Sequence, residues 1–141
     1  MNRIVIFSGT MGRPLAADVC KHLNLEPGKA LVDRFADGEI KLQLQENVRG
    51  ADLFIINPTI APAQNMMEMV FLADACFNSS AGRITIVPTY IGYARQDRKD
   101  RPRVPFSGHK FLDILAQSGA NRALAFDVHS EPMLGGFIKE R

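Results

Sequence analysis

The sequence is poor in everything that would make a metal or redox centre from cysteine. It has only Cys20 and Cys76 in 141 residues, and neither stands in a CxxC or CxxH pattern. Both fall inside amphipathic helical patterns and are expected to be reduced, buried, small hydrophobes. Long apolar runs are missing too, with nothing near the roughly 20 residues a membrane-spanning helix needs. The first ten residues, MNRIVIFSGT, carry only four consecutive apolar side chains. That is too short for a signal-peptide core and reads as a buried strand, so a cytoplasmic protein without a membrane partner is expected. The commonest nucleotide-binding devices are absent: no GxxxxGK[ST], no GxGxxG, and no HRD or DFG motif. Internal repeats, low-complexity stretches and linkers are also lacking, which argues for a single domain over residues 1–141.

What remains is an ordinary globular composition, 46% hydrophobic and 23% charged, with a formal charge of +2. Its distribution says more than its sum. Residues 95–103 hold five of the 17 cations (Arg95, Arg98, Lys99, Arg101, Arg103) and two of the 15 acids, Asp97 and Asp100. That stretch is locally positive, while the rest of the chain, with twelve cations against thirteen acids, is slightly negative. Such concentration points to a local anion site rather than to a general polyanion binder.

Short β-branched runs alternate with helical patterns. Residues 3–7 read as a buried strand, followed by a Gly9-Thr10-Met11-Gly12 turn. A helix begins near Pro14, carries Leu15, Val19, Leu23 and Leu25, and stops at Pro27-Gly28. Residues 29–34 and 39–44 are strand candidates joined through Asp37-Gly38, a hairpin signal. In the second of them Ile40, Leu42 and Leu44 alternate with Lys41, Gln43 and Gln45, so one face is expected to be wet. Residues 53–57 and 84–87 are apolar enough to be strands buried on both faces. Residues 63–77 and 107–119 read as helices, the latter with Ser107 as N-cap, and 122–128 as a last strand. Strand and helix in alternation imply an α/β fold with a mainly parallel sheet flanked by helices, plus the small hairpin. In such sheets ligands gather at the carboxyl ends of the strands.

Three segments could carry chemistry. In Tyr93-Ala94-Arg95-Gln96-Asp97-Arg98-Lys99, several guanidinium groups on a loop after a buried strand suit a polyphosphate. The plain alternative is a solvated basic loop. Asp127 and His129, two apart at a strand end, face one side and could orient each other, bind a metal or do acid–base work. A structural histidine is the alternative there, and Mg²⁺ ordinarily prefers oxygen ligands. In Arg34-Phe35-Ala36-Asp37-Gly38-Glu39, an aromatic ring beside carboxylates could stack on a base and accept from its amine. A turn that simply needs Asp-Gly would look the same. His22 and His109 are expected to face solvent on helices.

Taken in order, Phe7-Ser8-Gly9, Arg34-Phe35-Ala36-Asp37-Gly38-Glu39, Val48-Arg49-Gly50, Tyr93 through Lys99 and Asp127-Val128-His129-Ser130 resemble the successive signatures of ribose-phosphate pyrophosphokinases. The resemblance runs the length of the chain and implies a phosphoribosyltransferase-like fold. It implies a reaction as well: ATP and ribose 5-phosphate give AMP and 5-phosphoribosyl 1-pyrophosphate. By the family pattern Arg95 and Gln96 contact ATP, with Arg95 near the phosphates, and His129 helps hold Mg²⁺ bridging those phosphates. Phe35, Asp37 and Glu39 bind the adenine of an ATP held by a neighbouring subunit, in a homo-oligomer built from dimers. Asn47 and Arg49 align with a regulatory phosphate/ADP loop, where Asn47 replaces the usual serine.

Other departures lie at Gln64-Asn65, Gly108-His109 and Pro132 to Phe137. The family's second, ribose 5-phosphate-binding domain and its catalytic loop have no counterpart here. The chain is therefore expected to be an ATP-binding half, inactive alone, without catalytic residues of its own. A non-catalytic regulatory subunit of the same family is the alternative. Nucleic acid is not an expected partner, because only Tyr93 and Phe106 interleave the basic loop.

Overall fold

A computed structural model describes residues 3–126. Strand β1 (Ile4–Ser8) leads into helix α1 (Arg13–Leu23), followed by β2 (Ala30–Arg34) and β3 (Ile40–Leu44). Then come β4 (Asp52–Asn57), α2 (Gln64–Asn78), β5 (Arg83–Pro88), α3 (Ser107–Ala116) and the short β6 (Arg122–Ala123). Four strands form one wholly parallel sheet in the order β1-β4-β5-β6, and β2 with β3 make a separate antiparallel hairpin. The alternation of strand and helix is the reason: each crossover returns the chain to the same sheet edge in the same direction.

The strands are buried on both faces. Leu53, Ile55, Ile84 and Ile86 point to one side, packed with Met69, Leu72, Cys76, Phe111, Leu112 and Leu115 of α2 and α3. Ile6, Ile56 and Val87 point to the other, against Ala16 and Cys20 of α1. The hairpin leans on the first core through Val32, Leu42 and Leu44, with Lys41 and Gln43 outside, as the alternation requires.

Several boundaries differ from the sequence expectation, each for a local reason. Helix α1 ends at Leu23 rather than at Pro27-Gly28, because Asn24 adopts a left-handed cap (φ 57°) whose amide bonds the carbonyls of Cys20 and Lys21. The face of α1 in contact with the sheet is small, Ala16 and Cys20. Leu15 and Leu23 stay about half exposed and line an apolar groove of about 320 Å³ with Val19, Ile4, Phe54 and Leu124. Ser107 is not the cap of α3. It is the first helical residue: Phe106 holds the cap position, its carbonyl accepting from Lys110 N at 3.0 Å, and no side chain caps the helix. The last strand pairs only through Arg122 and Ala123 within the described residues.

Both cysteines are buried and unpaired. Burial pushes the Cys76 thiol up to about 12, and burial together with the nearby Glu26 carboxylate raises Cys20. Neither is therefore a thiolate at neutral pH, in keeping with a packing role. No helix among the described residues is long and apolar enough to cross a membrane.

At the amino edge of the sheet, Asp52 and Arg83 are register partners whose side chains form a bidentate ion pair, Nε to Oδ1 at 2.9 Å with a second, short contact from Nη2 to Oδ2. The Arg83 hydrogen bond holds the Asp52 carboxyl below its ordinary 3.8 despite the opposing effect of burial. A depressed folded-state pKa stabilises the protein above the unfolded value and loses that contribution as pH falls through the folded one. Asp52→Asn is thus expected to cost about 1 kcal/mol at pH 7. The difference from wild type should shrink below pH 4, as read from urea unfolding at both pH values.

Candidate functional site

The loops leaving β1, β4 and β5 all emerge at the carboxyl end of the parallel sheet and are stitched together by polar side chains. After β1 the chain turns so tightly that a Cβ on Gly12 would lie 2.2 Å from the Ile56 carbonyl oxygen. A Cβ on Gly9 would lie 2.4 Å from the Asn57 side chain. Only glycine permits that approach. Asn57, wholly buried, accepts from Gly12 N through Oδ1 and donates from Nδ2 to the Asn65 carbonyl, both at 2.9 Å. One amide thereby ties the turn after β1 to the start of α2. Thr59 does the same between β4 and β5: its hydroxyl donates to the Tyr90 carbonyl at 2.7 Å and accepts from Gly92 N at 3.1 Å.

From this frame the basic loop projects. Tyr93, with a left-handed φ of 61°, turns its ring onto Phe111 of α3, ring centres 5.3 Å apart. Gln96 N donates to the Tyr93 carbonyl at 2.9 Å, and the carbonyls of Tyr93 and Gln96 crowd Gly108 so closely that a Cβ there would meet both within 3.0 Å. The backbone of the loop is thus seated on the amino end of α3. His109, expected to face solvent, is half-buried instead, its Nε2 3.2 Å from the Asp97 carbonyl and its ring edge-on to Phe106. Its i-to-loop contact arises from tertiary packing that helical periodicity does not encode.

Above that seat the side chains of Arg95, Gln96, Arg98, Lys99 and Arg103 are exposed. Arg101 pairs with Asp100 at 3.7 Å, in full solvent. Arg95, Arg98, Lys99 and Arg103 have no ion-pair or hydrogen-bond partner among the described residues. Four uncompensated cations on one ordered loop at the carboxyl end of β5 make an anion-attracting surface.

The hairpin carries the other candidates. Its turn, residues 35–39, is closed by Phe35 N to the Glu39 carbonyl at 2.8 Å and Gly38 N to the Phe35 carbonyl at 2.9 Å. Gly38 takes a left-handed φ of 93°, and Asp37 Oδ1 accepts from Glu39 N at 3.0 Å. Asp37-Gly38 therefore does the structural work of a turn as well. The Phe35 ring is 51% exposed, with the Lys41 ammonium 5.8 Å from its centre. Asp37, Gly38 and Glu39 face Gln64, Met67 and Phe71 of α2 across an open cleft of about 730 Å³. No hydrogen bond, ion pair or ring contact joins the hairpin turn to the basic loop among the described residues, and the cleft beside the turn is lined by α2 rather than by that loop.

Asn47 and Arg49 lie elsewhere, at the amino end of β4. Asn47 Oδ1 accepts from Arg49 N at 2.9 Å and its carbonyl accepts from the Arg3 guanidinium. The Asp127 and His129 pair lies outside the described residues. The described residues bring together no group of three or more His, Cys, Asp or Glu able to hold a metal.

Sequence reasoning did not single out Asn57, Thr59 or Glu68. Glu68 had a signal: it is the lone acid in the run Met66-Met67-Glu68-Met69-Val70, and the structure buries it completely.

Residues 4–119 match the family model of the N-terminal domain of ribose phosphate pyrophosphokinase. The chain belongs to that family. Ribose-phosphate pyrophosphokinase 2 of Oryza sativa, a chloroplastic protein, is 45% identical over 137 residues, covering 96% of this chain and 34% of the relative. Ribose-phosphate pyrophosphokinase of Thermotoga maritima is 44% identical over 137 residues, covering 96% of this chain and 44% of the relative. Among solved structures, phosphoribosylpyrophosphate synthetase from Mycobacterium smegmatis superposes with a TM-score of 0.92 at 36% identity, over 97% of this chain and 46% of that one. The chain thus spans less than half the length of these ribose-phosphate pyrophosphokinases, and its matched part is their amino-terminal domain.

Proposed function

We propose that this chain is the Mg-ATP-binding half of a ribose-phosphate pyrophosphokinase. In that reaction the anomeric hydroxyl of ribose 5-phosphate attacks the β-phosphorus of ATP, the pyrophosphoryl group moves to the sugar and AMP leaves. The observation that carries the reading is the set of uncompensated cations, Arg95, Arg98, Lys99 and Arg103, on a loop seated against α3. Phosphoryl-type transfer needs positioning and charge neutralisation more than covalent help from the protein. A guanidinium fork supplies both, so Arg95 is assigned to the phosphates and Gln96, beside it, to a polar contact with the nucleotide.

Phe35, Asp37 and Glu39 are assigned to the adenine ring. An exposed aromatic face offers stacking, and the carboxylates accept from the exocyclic amine. By the family pattern, each ATP contacts the loop of one subunit and the turn of a neighbour, in a homo-oligomer. Magnesium would be held mainly by oxygens of the nucleotide, with His129 adding one nitrogen, and would supply charge neutralisation on the phosphates. Asn47 and Arg49 are assigned, as a second site, to regulatory phosphate or ADP.

Residues 1–141 form one ATP-binding domain in this reading. The ribose 5-phosphate site and the catalytic loop belong to the family's second domain, so the isolated chain should not make 5-phosphoribosyl 1-pyrophosphate. Calorimetric titration with Mg-ATP, with the mass in solution measured on the same sample, tests the proposal. Saturable binding by a dimer or larger species, without turnover of ribose 5-phosphate, is the expected result. No binding at millimolar ATP by an intact oligomer would replace the reading with a non-catalytic subunit.

A further inference from the structure

Glu68 carries a carboxylate with no solvent exposure, and it sits in the middle of α2 among methionines. Three donors reach it, from two segments far away in the chain. Thr10 N donates to Oε2 at 2.7 Å and the Thr10 hydroxyl to Oε1 at 2.9 Å. Arg34 Nη2 donates to Oε1 at 2.6 Å. Thr10 belongs to the tight turn after β1, and Arg34 is the last residue of β2, immediately before Phe35. One buried anion therefore joins the carboxyl end of the sheet to the base of the hairpin turn. Arg34 spends the rest of its fork locally, Nη1 donating to the Asp33 carbonyl at 3.1 Å, so the guanidinium is held at both ends.

The hairpin has other attachments. Arg13 Nη2 donates to the Val32 carbonyl at 3.1 Å, and Arg3 Nη1 donates to Glu46 Oε2 at 3.1 Å. Val32, Leu42 and Leu44 pack on the main core. These fix the far end and the inner face of the hairpin. Among the described residues the tip has no such anchor: Asp37, Gly38 and Glu39 look onto the open cleft toward α2. Among them, too, only the Arg34–Glu68 pair fixes the hairpin to the body by a hydrogen bond where the turn begins.

We propose that Glu68 is a positioning residue that, through Arg34, sets the orientation of the Phe35–Glu39 turn and thereby its selectivity for the purine base. The proposal rests on the reading that this turn receives adenine. A buried carboxylate suits the task because it costs too much to leave half-paired, so the pair has essentially one geometry. With Glu68 neutral, Arg34 keeps at most an uncharged acceptor and is held more weakly. The hydrophobic attachment of the hairpin persists, and the turn wanders relative to a base held by the neighbouring subunit.

The test compares two probes on the same oligomeric protein, Mg-ATP and Mg-tripolyphosphate, which share the phosphate chain and differ in the nucleoside. Glu68→Gln keeps the shape and removes the charge. The expected result is a loss of about tenfold or more in ATP affinity, the size of a lost base-stacking platform. Tripolyphosphate affinity should stay within about twofold of wild type, because the basic loop is untouched. Equal weakening of both probes, or no change in either, in a folded variant would overturn the positioning role. If Glu68→Gln does not fold, Arg34→Gln decides by the same two outcomes, since it leaves Glu68 its two Thr10 donors. Wild-type protein that binds tripolyphosphate as tightly as ATP would instead refute the adenine-turn reading, whatever the variants do.

Discussion

Asn57→Leu is expected to lower the stability of the domain by about 1–3 kcal/mol with almost no change in side-chain volume. The amide is wholly buried and both its ends are used, toward Gly12 N and toward the Asn65 carbonyl. Leucine fills the same space and satisfies neither. Gly12 N keeps a longer bond to the Gly9 carbonyl at 3.2 Å, and the Asn65 carbonyl lies in the first turn of α2, so what is lost is two hydrogen bonds at about 0.5–1.5 kcal/mol each. No rearrangement of the turn offers relief: Gly9 and Gly12 already sit in near contact with Asn57 and Ile56. Total stabilities of small domains are only about 5–15 kcal/mol, so the loss is a sizeable fraction of the whole. Urea unfolding followed by circular dichroism measures it, provided the slopes of variant and wild type agree. A loss under about 1 kcal/mol would mean that the turn after β1 is not held by Asn57.

Arg95→Ala is the largest effect expected on function. Arg95 is exposed and has no side-chain partner among the described residues, so its removal should leave the melting temperature of the domain unchanged. Under the proposed function it should weaken Mg-ATP binding strongly. A hydrogen bond to a charged group contributes about 1.5–3 kcal/mol, which corresponds to an affinity loss of about 10- to 150-fold. Arg95→Lys separates charge from geometry: a point charge restores part of the attraction, but not the bidentate fork. Calorimetry on the three proteins reads the series directly. Unchanged ATP affinity in Arg95→Ala would withdraw Arg95 from the phosphate site and leave the basic loop a solvated surface.

The two effects live on different links of the chain from sequence to function. Asn57 builds the frame without touching ligand, and Arg95 stands on the frame without holding it. Between them lie the Tyr93 ring on Phe111 and the Gln96 carbonyl on Gly108, which seat the start of the basic loop on α3.

Much of the architecture was legible in the residues. Apolar runs such as Leu53-Phe54-Ile55-Ile56 can be stable only between two layers, so buried parallel strands and flanking helices follow from hydrophobic burial alone. The hairpin followed from alternation in Ile40, Leu42 and Leu44 and from Asp37-Gly38. The concentration of cations at 95–103 was equally plain, because charge is a property of composition. Helix ends were less legible. Asn24 could stop α1 four residues before Pro27-Gly28 because a left-handed cap depends on backbone geometry, which hydrophobic periodicity does not report.

The sequence by itself determined the α/β class, the hairpin, the location of the positive charge and, through its ordered motifs, the family. Each of these depends on local spacing or on residue type, quantities the linear chain carries in full. Only the tertiary structure decided which polar groups are partners. Thr10, Arg34 and Glu68 stand far apart in the chain, as do Gly12, Asn57 and Asn65, and Thr59 with Tyr90 and Gly92. Their hydrogen bonds exist because strands β1, β4 and β5 end side by side and α2 crosses above them. A buried polar group must find its partner across space, and that choice is made when the layers close.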